Sequence, residues 1–281
     1  MPRLTPITNP DDPRIERYRA VRERDLLAQR GNDGRPGRFV AEGEVVLRLL
    51  TRRGRFGLES VLISDKRIAS LADLVEQLPS DCPVYVASQA VMDAIVGFPI
   101  HRGVLAIGLR GAEPDAQALL KAAPAHALVV ACIGIANHDN IGGIFRNAAA
   151  FGASAVLLDG ESCDPLYRKA IRVSVGAALT VPFARIAEPA ALIDTLQNNG
   201  FTTIALSPRG AQTLDEIARE TSGRLALLLG AEGPGLPADV LDKVRSARIP
   251  MAGDFDSLNV ATTSGVALYA LSRAALSLKP G

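Results

Sequence analysis

An α/β fold with a parallel sheet in its second half is predicted by three observations. Short apolar runs alternate with segments of helical periodicity along the chain, as in layered α/β folds. The runs of the second half are uniformly apolar, as strands covered on both faces of a parallel sheet must be. Two of them end in polar or glycine-rich turns, "NHDNIGG" after Ile135 and "GAEGPG" after Leu229, and ligands of such sheets gather outside the carboxyl ends of strands.

Taken in order, "DDPRIERYRAVRERDLLAQRGNDGRPGR" reads as a charged helix followed by a Gly/Pro/Asn/Asp loop, and order begins in earnest at "FVAEGEVVLRLL". Strand and helix patterns then alternate through "LESVLIS", "SLADLVEQL", "PVYVAS", "QAVMDAIVG" and "HRGVLAIGL". A stretch of small residues with Pro114 and Pro124 has no strand pattern and marks a boundary. The reading is an N-terminal arm and domain over 1–110, a linker over 111–125 and a second domain over 126–281. In that second domain "HALVVACIGI", "SAVLLD", "TVPFARI", "FTTIALS", "RLALLLG" and "ARIPM" are the strands, and "PAALIDTLQNNG" and "PADVLDKVRSA" are helices between them. A terminal amphipathic helix carries apolar positions at Val266, Leu268, Leu271, Ala275 and Leu278.

The 281 residues are 48% hydrophobic and 22% charged, enough to bury the cores of two ordinary domains, which excludes disorder as the main state. Net charge is only +1, yet residues 1–56 hold thirteen arginines against eight acids. Guanidinium groups fork onto phosphate oxygens, so a phosphate-rich partner at that end and a solvated helix of mixed charge are both open readings. Cys82, Cys132 and Cys163 form no CxxC pair and His101, His126 and His138 are dispersed, which argues against a disulfide framework and a structural zinc site. No signal-peptide core precedes the domain and no apolar run is long enough to span a bilayer, so a cytoplasmic soluble protein is expected.

Three stretches carry chemistry. In "NHDNIGGIFRNAAAFG", from residue 137, Asn137 and Asn140 are good helix caps, and the following helix offers free N–H groups to a polar ligand. Arg146 in that apolar helix must reach an edge, a carboxylate or a phosphate, because lone arginines are rarely buried without a partner. In "LGAEGPGL", from residue 229, glycines open a tight path and Glu232 sits beside a strand end, where it orients a ligand, holds an arginine or caps a helix. The spacing is not that of a dinucleotide loop, and Pro234 stands where a phosphate would need an N–H donor. In "DSLNVATTSG" Ser257 can cap a helix and present Asn259 beside a site.

These three stretches, in this order, resemble the SpoU/TrmH family of RNA 2′-O-ribose methyltransferases, within the SPOUT superfamily. "YRKAIRVSVGAALTVPFARI", through Arg172, Ser174 and Gly176, is similar to a further segment of that family, so the resemblance spans nearly all of 127–280. The N-terminal "AEGE" and "HRGVLA" are similar to the family's L30e-like substrate-binding domain. The resemblance implies a deep trefoil knot, an exception to the general absence of knots, and a homodimer joined through the C-terminal domain. It implies S-adenosylmethionine as cofactor, no metal, and RNA as substrate, ribosomal RNA ahead of transfer RNA.

Carried onto this chain, the family's polar active-site positions are Asn137, Arg146, Glu232, Ser257 and Asn259, and its cofactor positions are Gly230, Ile249 and Leu258, with Leu206 and Ser207 as further lining. Arg35, Arg38, Arg52, Arg53 and Arg172 are the expected RNA contacts. Departures stand at Asp139 and Asn147, where the family usually has Gly and Thr, and around Ala270 in the terminal helix. An RNA-binding protein without catalysis would need none of the polar set, and an NAD-dependent enzyme would need glycines spaced differently. Because a guanidinium with a pKa above about 12 is a poor base, Arg146 is expected to act on charge rather than on a proton.

Overall fold

A computed structural model describes residues 2–19, 37–96, 102–253 and 257–275, apart from the side chains of Arg53 and Val96. In chain order its elements are β1 (Leu4–Ile7), β2 (Arg38–Glu42), α1 (Glu44–Arg53), β3 (Gly57–Ser64), α2 (Ala72–Glu76), β4 (Val84–Ala87), α3 (Gln89–Val96), β5 (Val104–Leu109) and α4 (Ala116–Ala122). There follow β6 (Ala127–Ile133), α5 (His138–Ala150), β7 (Ala155–Leu158), α6 (Arg168–Val173), β8 (Phe183–Arg185), α7 (Pro189–Asn198) and β9 (Thr202–Leu206). The chain continues through β10 (Gln212–Thr213), α8 (Leu214–Glu220), β11 (Arg224–Gly230), α9 (Ala238–Leu241), β12 (Arg245–Arg248) and α10 (Val260–Ala275).

Two compact units result: Met1–Ala112 with Leu166–Thr180, and Glu113–Pro165 with Val181–Gly281. The first is built on a five-stranded sheet of order β1-β4-β3-β5-β2. Its first strand was not read from the sequence, because four residues containing Pro6 carry little strand signal; proline is tolerated there since β1 lies at the sheet edge. Of the expected N-terminal charged helix, Pro13–Tyr18 forms a 3-10 turn, and residues 20–36 lie outside the described residues. Residues 166–180 belong with this unit for a visible reason. The Arg168 guanidinium donates twice to Glu42 Oε2, at 3.0 and 2.9 Å. Gly176, at φ +83°, lies where a Cβ would come within 2.7 Å of Leu49 Cδ1.

In the second unit seven strands form a sheet of order β10-β12-β9-β11-β6-β7-β8, with every pairing parallel. At its centre Leu227 pairs with Val130 on one side and Ile204 on the other. Alternate residues of a strand face opposite ways. Val129, Ala131 and Leu228 accordingly pack with Leu192, Ile193 and Leu196 of α7, while α10 packs on β11 and β6 and α5 on β7. Most of the stretch read as a linker, 111–125, belongs to this unit, which begins at Glu113: Asp115 caps α4 by accepting from the Ala118 N–H, and Ala116, Leu120 and Ala123 are in its core. Pro114 and Pro124 flank that helix instead of breaking it, which is where proline is compatible with helical geometry.

The terminal helix follows its predicted stripe at Leu268, Leu271 and Ala275, but Val266 is 42% exposed and Leu278 lies outside the described residues. Phe145 of α5 is fully buried, edge-on to Phe183 of β8 with ring centroids 5.8 Å apart. Phe145→Ala is expected to cost about 3–5 kcal/mol of stability through the cavity it leaves. A lower denaturant midpoint at unchanged slope would be the sign of it.

Candidate active site

Strands β9, β11 and β12 lie side by side and end together. The turns that follow them, with the start of α10, enclose a cavity of about 590 Å³. A Cβ on Gly230 would lie 2.5 Å from both Gly235 C and Leu236 N, so only glycine lets the chain fold back on itself there. The returning Gly235 N–H donates to the Ala231 carbonyl at 3.0 Å, and Gly233 and Gly235 hold φ of +89° and +72°. Pro234 sits within this closed turn and its missing N–H costs the turn nothing. Leu206, Leu229, Ile249 and Leu258 give the cavity apolar walls, and Ser207, Glu232, Ser257 and Asn259 bring polar groups to it. Every cofactor position expected from the sequence, Leu206, Ser207, Gly230, Ile249 and Leu258, lines this one cavity.

Asn259 organises its polar side. Its Oδ1 accepts from the N–H groups of Ala261 and Thr262 at 2.9 and 3.2 Å, capping α10. Its Nδ2 donates to Glu232 Oε1 at 3.1 Å and to Asn140 Oδ1 at 2.8 Å. The cap is therefore Asn259 and not Ser257, which is exposed at the cavity. Asn140, only 4% exposed, is the asparagine of α5 that joins the site. Asn137 does not join it: exposed, it caps α5 by accepting from the Asp139 N–H at 2.8 Å. Residue type cannot separate two asparagines three positions apart. The pair of glycines after Asn140 was the available signal, because a Cβ on Gly143 would lie 2.6 Å from Ala261 Cβ and small residues mark the face of α5 turned toward α10.

Arg146 is exposed on α5 and is not among the residues lining the cavity. Among the described residues no lysine, arginine or histidine lines it, and Glu232 is the one ionisable side chain that does. Of the expected RNA contacts, Arg38 must be withdrawn. It is 7% exposed in β2 and its Nε pairs with Glu59 Oε2, so its charge is already spent inside the first unit. Arg52 and Arg172 are exposed, the Arg53 side chain is not described, and Arg35 lies outside the described residues.

Residues 127–269 match the SpoU rRNA methylase family. The chain belongs to that family. An uncharacterised tRNA/rRNA methyltransferase of Mycobacterium bovis is 38% identical to this SpoU family member, over 98% of the chain and 94% of the relative. The 23S rRNA (guanosine-2′-O-)-methyltransferase RlmB of Acinetobacter baylyi is 30% identical over 83% of the chain and 91% of its own length. Among solved structures, the AdoMet-bound rRNA methyltransferase from Sinorhizobium meliloti superposes with a TM-score of 0.79 at 24% identity, covering 99% of both chains. The SpoU methyltransferase AviRb from Streptomyces viridochromogenes gives 0.75 at 21% identity, covering 95% of this chain and 98% of that one. The SpoU fold thus extends over both units. Among the described residues no helix is long and apolar enough to cross a membrane, and no group of three or more His, Cys, Asp or Glu is placed to hold a metal ion.

Proposed function

We propose that this SpoU family member is an S-adenosylmethionine-dependent RNA 2′-O-ribose methyltransferase acting in the cytoplasm on ribosomal RNA. The observation that carries the reading is the cavity itself. It stands at the carboxyl ends of parallel strands, has apolar walls and, among the described residues, is lined by no cationic side chain and by one carboxylate, Glu232. Those are the requirements of a ligand that joins an adenine ring to a positively charged sulfonium, since a lysine or arginine in the wall would repel it.

When bound, that cofactor supplies an electrophilic methyl group. The residues of this chain do the rest. Gly230, Ile249 and Leu258 would hold the cofactor by main chain and apolar contact, with Leu206 and Ser207 beside them. Asn259, itself held by Asn140, fixes the carboxylate of Glu232, and in this reading Ser257 and Glu232 would receive the ribose hydroxyl and aim it in line. The hydroxyl oxygen gains negative charge as its proton is released to solvent, and a cation nearby would stabilise that change.

In this reading that cation is Arg146, which is exposed on α5. Val266 and Tyr269 on α10 are 42% and 56% exposed, and Ala149 and Ala150 of α5 are exposed as well. This apolar surface supports the family's homodimer, in which Arg146 of a second copy serves the cavity of the first. The strand order β12-β9-β11-β6 is compatible with the threaded trefoil knot that this reading takes from the family resemblance. The first unit, an L30e-like domain in this reading, holds RNA through exposed arginines such as Arg52 and Arg172.

Labelled S-adenosylmethionine, incubated with the protein and separate pools of ribosomal and transfer RNA, tests the proposal. Label is expected on ribose oxygens of ribosomal RNA. Label on transfer RNA alone would correct the target. Calorimetry showing no binding of S-adenosylmethionine, with NAD bound instead, would overturn the reading.

A further inference from the structure

Helices α5 and α10 are pinned together at two levels. At the cavity the pin is the bond between Asn259 and Asn140, at 2.8 Å. Seven residues along α5, on the same face about two turns away, Asn147 makes the second. Its Nδ2 donates to the Ala261 carbonyl at 2.7 Å and to Ser264 Oγ at 2.9 Å, while Ser264 Oγ donates to the same carbonyl at 2.7 Å. Ser264 is fully buried. The amide lies flat over Gly265, where a Cβ would stand 3.2 Å from Asn147 Nδ2. Small side chains let the helices approach closely here, and the two asparagine bonds add a directional constraint on their register.

Ala261 belongs to the first turn of α10, the turn capped by Asn259. We propose that Asn147 is a positioning residue for methyl transfer: by gripping that turn it sets the height and rotation of α10, so that the Asn259 amide meets Glu232 at the cavity. Asn147 is not among the residues lining the cavity and touches no cofactor position. Its influence is on aim. Displacements near 1 Å at a reacting centre can cost about a hundredfold in rate.

The inference rests on the assignment of Asn259 and Glu232 to the reaction site, and the experiment separates the two. Full-length Asn147→Leu, Asn147→Ala, Asn147→Thr and Asn259→Ala are assayed for kcat and for KM toward S-adenosylmethionine, with melting temperatures measured alongside. Leucine and alanine remove the donor; threonine keeps a hydroxyl able to donate to the Ala261 carbonyl. The expected result is a kcat about tenfold lower for Asn147→Leu and Asn147→Ala with KM within about twofold, recovered to within about threefold by Asn147→Thr. Should leucine prove too large above Gly265, the alanine variant gives the same comparison. If Asn259→Ala turns over normally, the site assignment falls and this inference with it. If Asn259→Ala is inactive while folded Asn147→Ala keeps the wild-type kcat, the role given to Asn147 alone is wrong.

Discussion

Arg146→Ala is expected to lower methyl-transfer turnover by about 10²–10³-fold, the usual cost of removing a group that stabilises charge in the transition state. Affinity for S-adenosylmethionine, measured by calorimetry, should stay within about twofold, because the residues lining the cavity do not include Arg146. Arg146→Lys should recover little, since a point charge does not reproduce a planar fork on phosphate or developing alkoxide. Normal turnover in Arg146→Ala would take the residue out of the reaction. The same variant tests how the arginine is delivered. Mixed with Glu232→Gln, which is expected to be inactive by itself, Arg146→Ala regains activity only if one protomer's arginine serves its partner's cavity. Mixed dimers without activity would place the arginine in its own protomer's site.

Gly230→Ala should weaken S-adenosylmethionine binding by about a hundredfold, which corresponds to about 2.7 kcal/mol. A Cβ at this position would lie 2.5 Å from the main chain at Gly235 and Leu236, and main chain cannot swing aside as the end of a flexible side chain can. The turn must open, taking Ala231 and Glu232 out of the cavity wall. Gly233→Ala is the informative comparison. There a Cβ would meet nothing within 4 Å, so only the φ of +89° resists substitution, at a cost of about 1–3 kcal/mol in the backbone. Equal binding by Gly230→Ala and the wild type would show that the turn does not form the cofactor's seat.

The strands of the second unit were legible because a parallel strand covered on both faces has to be apolar throughout, and "LVVAC" and "LALLL" are. The turn after β11 was legible because glycines at 230, 233 and 235 have few other uses at the end of such a strand. Errors arose where local pattern and long-range packing diverged. Two prolines around 116–122 suggested a linker, yet they border a helix whose Leu120 is fully buried. Arg38, in an arginine-rich segment, looked like a phosphate contact until Glu59, twenty-one residues away in sequence, took its charge.

What the sequence determined by itself is therefore whatever depends on neighbours in the chain: the apolar strands, the glycine turn, and the stretches in which polar residues gather. Which of those residues meet was decided only in three dimensions. Asn137 and Asn140 are the same side chain three positions apart, and one is a solvent-facing cap while the other is buried against Asn259, 119 residues further on. The difference comes from the face of α5 that packs on α10, and a hydrogen bond between helices so distant in sequence is made by the fold, after the local preferences of each helix are already satisfied.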